Sequence, residues 1–251
     1  MIMSVILETK GLNAGYGPIH VIYDLDFEAI RGEVTVVVGP NGVGKTTLMK
    51  SIMGLVTTYS GQIIFDGHDI TSHPPHERTK LGIGYMPQVG NIFSHLSVEH
   101  NLKMASFIMK DEALVQDKME MVLGLFPRLK GYMKRDAGTL SGGERQMLAE
   151  SMVLMRDPKI MLVDEPTAGL MPKLVTDVLK KLEEMAETTG LPVVVVEQRA
   201  RRALEIGDTA YMMRGGRFTF KGNSEALLNH PQLTDMYLGA VEIHDLQNVR
   251  E

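Results

Sequence analysis

The chain has 251 residues, 44% of them hydrophobic and 23% charged, with a formal net charge of -5 and no cysteine. This is the composition of an ordinary soluble globular protein, and the length corresponds to roughly 1.7 domains, so one large α/β domain or a core with a subdomain is expected. Disulfides, thiol nucleophiles and cysteine-based metal sites are excluded, and the acidic balance offers no footprint for nucleic acid. The apolar runs fall far short of the ~20 residues that cross a bilayer. The opening residues have neither the basic segment nor the apolar length of a signal peptide, so an internal, non-spanning chain is expected.

Residues 5–27 alternate apolar and polar side chains around Gly15-Tyr16-Gly17-Pro18, which predicts short antiparallel strands at an edge. Residues 33–38 end in a β-branched run that predicts a strand buried on both faces, and glycines, Lys45 and a helical pattern follow it. Residues 62–65 and 83–86 predict further strands. After Pro87 the sequence turns helix-favouring and rich in the chain's nineteen methionines, which predicts an inserted helical subdomain over 88–156 with Met as core filler. Within it Met119, Val122, Leu123 and Phe126 share one helical face, as do Leu148, Met152 and Met155. Asp157-Pro158 ends that second helix.

Residues 160–163 predict a strand, and Leu174, Val178, Leu179, Leu182, Met185 and Ala186 form one face of a helix ended by Gly190. Residues 193–196 predict another strand, so the pattern is a parallel α/β sheet whose ligand lies at the carboxyl ends of its strands. Residues 211–213, Gly215-Gly216 and 218–220 predict a closing hairpin, Ser224 caps a last short helix, and 242–251 fray. Arg199, Arg201 and Arg202 read as a solvated helix face and the eight histidines as surface residues.

Three short segments carry chemistry. Gly39-Pro40-Asn41-Gly42-Val43-Gly44-Lys45-Thr46-Thr47 fits a phosphate-binding loop, in which backbone N–H groups converge on phosphate oxygens at a helix N-terminus. Lys45 then neutralises the β and γ phosphates, and Thr46 offers a hydroxyl to Mg²⁺. Asp164-Glu165 ends a strand with two carboxylates that a side-chain period of two sends to different places. Asp164 suits a water-mediated hold on Mg²⁺, and Glu165 suits acceptance of a proton from an attacking water. Leu140-Ser141-Gly142-Gly143-Glu144 reads as a capping box, but two glycines in a first helical turn cost up to ~1 kcal/mol each relative to Ala. Close approach of an anion explains them, making Ser141, Gly142 and Gly143 a second phosphate site.

The phosphate loop, Gln88 after a strand, the Leu-Ser-Gly-Gly segment and then Asp164-Glu165 occur in an order that resembles the ATP-binding subunits of ABC transporters; no Asn-Lys-x-Asp motif of GTPases is present. The resemblance covers about residues 4–238. It implies an ABC ATPase fold with an N-terminal antiparallel β edge. A P-loop NTPase core would span 1–87 and 157–238 around the helical subdomain, with 239–251 as a tail. It also implies that two ATPase chains, identical or related, sandwich two ATP molecules, so that Ser141 of one reaches the γ-phosphate held by Lys45 of the other. Tyr16 would stack on adenine, and Gln88 would link Mg²⁺ and the γ-phosphate to residues 89–96, which meet two membrane-spanning permease subunits. Such a chain sits at the cytoplasmic face of the membrane and serves a solute-binding protein indirectly.

Two departures narrow the resemblance. Gln198 stands where most of the family has a histidine; it can donate an amide N–H to the γ-phosphate but cannot titrate. Met171 stands in the loop after Asp164-Glu165 where an aspartate is usual. With residues 87–93 and 97–102, these features are similar to the importer ATPases for branched-chain amino acids, with urea and amide importers sharing the pattern. An exporter ATPase, or a soluble member acting on nucleic acid or ribosomes, are the alternatives.

Overall fold

A computed structural model describes residues 4–107 and 109–239. The polar-apolar alternation of the first segment builds an antiparallel sheet ordered β2-β1-β4-β5, from β1 (Val5–Tyr16), β2 (Ile19–Ile30), β4 (Thr57–Phe65) and β5 (His68–Asp69). The β-branched runs build the second sheet, ordered β10-β9-β3-β8-β7-β6. Its strands β3 (Val34–Val38), β6 (Ile83–Met86), β7 (Ile160–Asp164), β8 (Val193–Glu197) and β9 (Thr209–Arg214) are parallel. β10 (Arg217–Asn223) closes the edge as an antiparallel hairpin.

Every residue of β3, β7 and β8 is buried, because both faces of this sheet are covered. The strand period of two divides the coverage. Val37, Leu162, Val194 and Val196 pack into a cluster with α1 (Lys45–Ile52) and with Leu7, Leu25 and Phe27 of the antiparallel sheet. Val36, Val38, Met161, Val163 and Val195 pack on the other side with α3 (Val98–Ala105), α5 (Gly142–Leu154) and α6 (Pro172–Thr189). With only eight residues, α1 is too short to persist alone, and it is held by burial of Leu48, Met49 and Ile52, each contributing about 1.5–3 kcal/mol. Its carboxyl end is tied by buried Arg78 of α2 (Pro75–Leu81), whose guanidinium donates to Ser51 O at 2.8 Å and Ile52 O at 2.7 Å.

Between β6 and β7 the chain is helical: α3, α4 (Glu112–Leu125), two short 3₁₀ helices at 127–132 and 137–139, and α5. Met119, Val122 and Phe126 are buried from the predicted face of α4 and Leu123 is half-buried; Leu148 and Met155 are buried from that of α5. The carboxyl-terminal part adds α7 (Ala200–Leu204), α8 (Ser224–Leu228) and α9 (Leu233–Leu238).

Two expectations are corrected. The first two strands are not short but have 12 residues each. Their register slips between Thr9 and Leu12 and again between Leu12 and Ala14, and such bulges break the alternation from which length is read. Ser224 does not cap the helix it begins: the Asn223 side chain accepts Ala226 N–H, while the buried Ser224 hydroxyl donates to Leu204 O at 3.0 Å. Nor is that helix the last, since α9 follows it. Residues 242–251, expected to fray, lie outside the described residues.

Candidate active site

The phosphate loop runs from the end of β3 to the start of α1. A Cβ at Gly39 would lie 2.4 Å from Met213 O, and Gly44, at φ 110°, would place one 2.7 Å from Ile22 Cγ2. Only glycine fits at either position. Among the described residues no side chain caps α1, so the N–H groups of its first turn remain available for an anion.

Lys45 is the first residue of that helix, and its side chain is 3% exposed. Its ammonium donates to Gly39 O at 2.8 Å and Pro40 O at 2.9 Å, and lies 3.3 Å from Glu165 Oε1. The Thr46 hydroxyl donates to Asp164 Oδ1 at 2.9 Å, and the Gln88 amide donates to Glu165 Oε2 at 3.1 Å. Lys45, Gln88 and Glu165 therefore form one linked group and Thr46 and Asp164 another, side by side at the carboxyl ends of β3, β6 and β7 although they come from three separate stretches of sequence.

Asp164 ends β7 and is 1% exposed. Burial raises its pKa, the Thr46 and Tyr85 hydrogen bonds oppose that rise, and the adjacent Glu165 charge adds to it. Tyr85 was not among the residues singled out by sequence. Its hydroxyl donates to Asp164 Oδ2 at 3.1 Å, and burial together with the Asp164 charge pushes its own pKa up. The signal was present: a tyrosine in a strand buried on both faces needs a partner for its O–H. A desolvated carboxylate beside a threonine hydroxyl is a pair of hard oxygen donors, which is what Mg²⁺ takes from a protein.

The two carboxylates diverge for a reason other than strand alternation. Glu165 lies past the end of β7 at φ 46°, in the left-handed region, and this turn aims it at Lys45. Gln88, Asp164 and Glu165 line a cavity of about 280 Å³ together with Gly142, Arg145 and Leu170, so the start of α5 faces the carboxylates across it.

Ser141 is the cap of α5, as the capping box predicts: its hydroxyl accepts Glu144 N–H, and Glu144 Oε2 accepts Ser141 N–H at 2.8 Å. That N–H holds the Glu144 carboxyl below the usual range. Gly142 and Gly143 have ordinary helical geometry, and a Cβ at Gly143 would meet nothing nearer than Leu174 at 3.8 Å. Neither backbone strain nor internal packing requires glycine at 143. Ser141 makes no hydrogen bond to the phosphate loop of its own chain among the described residues. Two further candidates lie apart from these groups. Tyr16, 43% exposed at the end of β1, has Lys50 Nζ 5.7 Å from its ring centroid, and the Gln198 side chain is exposed just past β8.

Residues 22–168 match the family model described as ABC transporter. Over 237 residues the chain is 46% identical to the probable branched-chain amino acid transport ATP-binding protein LivF of Archaeoglobus fulgidus, covering 94% of this chain and all of that protein. It is 39% identical over 225 residues to the high-affinity branched-chain amino acid transport ATP-binding protein BraG of Pseudomonas aeruginosa, covering 89% and 95% respectively. A crystal structure of an ATP-binding cassette of an ABC transporter in its ADP conformation is similar at a TM-score of 0.83 and 27% identity, over 94% of this chain and 99% of that one.

Proposed function

The chain belongs to the ABC transporter family as an ATP-hydrolysing subunit, and from that premise we propose that it powers import of branched-chain or other hydrophobic amino acids. Among the described residues no helix is long and apolar enough to cross a membrane. In this reading the chain works at the cytoplasmic face on two permease subunits, supplied by a solute-binding protein, and pairs with a second ATPase chain, identical or related. Residues 88–156 act as the helical subdomain between core segments 1–87 and 157–238.

The observation that carries the reading is the cluster of Lys45, Thr46, Gln88, Asp164 and Glu165 at the strand ends. When the triphosphate enters, the loop N–H groups take its oxygens. Lys45 exchanges its Gly39 and Pro40 carbonyls and its Glu165 partner for the β and γ phosphates. That exchange frees Glu165 Oε1 while Gln88 still holds Oε2, leaving an oriented carboxylate to accept the proton of the attacking water. Thr46, Asp164 and the amide oxygen of Gln88 are the groups that would hold Mg²⁺, which would supply charge neutralisation on the phosphates. Tyr85 keeps Asp164 oriented for that task. Ser141, Gly142 and Gly143 serve the nucleotide of the second chain, where the open space at Gly143 admits a phosphate close to the backbone. Tyr16 stacks on adenine, and the Gln198 amide donates to the γ-phosphate.

The test is affinity purification of the Glu165→Gln protein from gently solubilised native membranes in MgATP. The expected result is a pair of ATPase chains with trapped ATP and two multi-span chains. Recovery of ribosomes or nucleic acid, or of a nucleotide-free monomer, refutes the transport reading.

A further inference from the structure

Glu197 is the last residue of β8, after four valines, and directly precedes Gln198. It is 1% exposed, and among the described residues no basic side chain pairs with it. Its two carboxylate oxygens serve two different loops. Oε1 accepts the N–H of Thr167 at 3.0 Å, in the loop that follows Asp164-Glu165. Oε2 accepts the N–H of Gln198 at 3.1 Å and of Arg199 at 3.4 Å, in the loop that follows β8.

Burying a carboxylate is unfavourable unless hydrogen bonds to its charged form offset the lost water. If packing were the only demand, a fifth valine would satisfy the strand. Other contacts run along the same join. Arg199 Nη2 donates to Leu170 O at 3.3 Å, Glu165 N–H donates to Val196 O at 3.0 Å, and the Tyr237 hydroxyl of α9 donates to Gln198 O at 2.8 Å. The loop bearing Glu165 and the loop bearing Gln198 are thus fastened to each other, and the carboxyl-terminal helix braces the second.

We propose that Glu197 is a positioning residue for ATP hydrolysis, locking the loops after β7 and β8 together so that Glu165 and the Gln198 amide keep a fixed separation around the γ-phosphate. Tyr237 is the second brace of the same device. The inference rests on the ATPase reading and on the γ-phosphate contact proposed for Gln198.

Glu197→Gln tests it with little change in volume. An amide has one oxygen, so one of the two loops must lose its acceptor and meet an N–H₂ group instead. The expected result is a kcat lower by roughly 10- to 100-fold, the scale of a small misplacement of reacting groups, with affinity for a fluorescent ATP analogue held within about twofold. Combined with Gln198→Ala, the effect should be strongly non-additive, because both substitutions disable one unit. Should Glu197→Gln fail to fold, Tyr237→Phe removes only a hydroxyl. It should lower kcat several-fold at unchanged KM in the wild-type background and have no effect beside Gln198→Ala. An unchanged kcat, effects that multiply with Gln198→Ala, or a loss of nucleotide affinity and melting temperature in step with kcat each overturn the proposal. Absence of MgATP turnover in the wild type overturns the ATPase reading and this inference together, whereas equal turnover in wild type and variants overturns the inference alone.

Discussion

Glu150 occupies the middle of α5 at 1% exposure, and among the described residues its Oε1 has no hydrogen-bond partner. Burial pushes its carboxyl up from 4.5 to about 8, with Gln146 and the Lys181 charge acting weakly the other way. Because the folded value lies above the unfolded one, the group is neutral in both states below 4.5 and stability there is intact. Between 4.5 and about 8 the unfolded chain releases the proton while the fold retains it, so stability falls as pH rises and levels off above that window. At about 1.4 kcal/mol per pH unit, the loss at pH 7 is about 3 kcal/mol. Glu150→Gln removes the titration at nearly constant volume. Its new N–H₂ group brings a pH-independent desolvation penalty of about 1–3 kcal/mol, so the discriminating quantity is the change of the difference with pH. Urea unfolding of wild type and variant from pH 5 to pH 9 should show the variant gaining on the wild type steadily up to about pH 8 and then running parallel to it. A difference that stays constant across that range refutes the burial argument.

Tyr85→Phe deletes one of the two hydrogen bonds that hold the Asp164 carboxyl down, so its pKa rises further. The Mg²⁺ concentration for half-maximal ATPase should increase roughly 10-fold; an unchanged Mg²⁺ titration disproves the role of Tyr85. Gly143→Ala meets no obstacle inside the chain and should gain up to ~1 kcal/mol of helix stability. Its melting temperature should therefore hold or rise while ATP-dependent pairing measured by light scattering weakens, and undiminished pairing would show that nothing approaches that glycine.

Much of the parallel sheet is legible in the sequence, because a strand buried on both faces reads as a nearly continuous apolar run. Residues 83–86, 160–163 and 193–196 therefore announce β6, β7 and β8 almost residue for residue. The phosphate loop is legible for a related reason: its glycines answer steric demands, a carbonyl 2.4 Å from a Gly39 Cβ and a left-handed Gly44, that no other residue meets. The long bulged strands β1 and β2 are less legible, since a register slip erases the period of two. Asn223 and Ser224 are adjacent cap formers, and their order is decided by the buried carbonyl of Leu204, twenty residues away.

What the sequence alone determined is which residues could touch a phosphate or a cation: Lys45 and Thr46 on the loop, Asp164 and Glu165 at a strand end, Ser141 to Gly143 at a helix start. Those signals are local, set by backbone geometry and by side-chain chemistry within a few positions. Only the tertiary structure decided who holds whom: Lys45 against Glu165, Tyr85 and Thr46 on opposite oxygens of Asp164, Glu197 between two loops. Those partners come from strand ends that one sheet brings together, β3 and β7 with β8 between them, but that lie up to 120 residues apart in the chain, as in the step from Lys45 to Glu165. The register between strands is set by the packed core as a whole, and the left-handed turn at Glu165 aims its carboxylate only relative to that core.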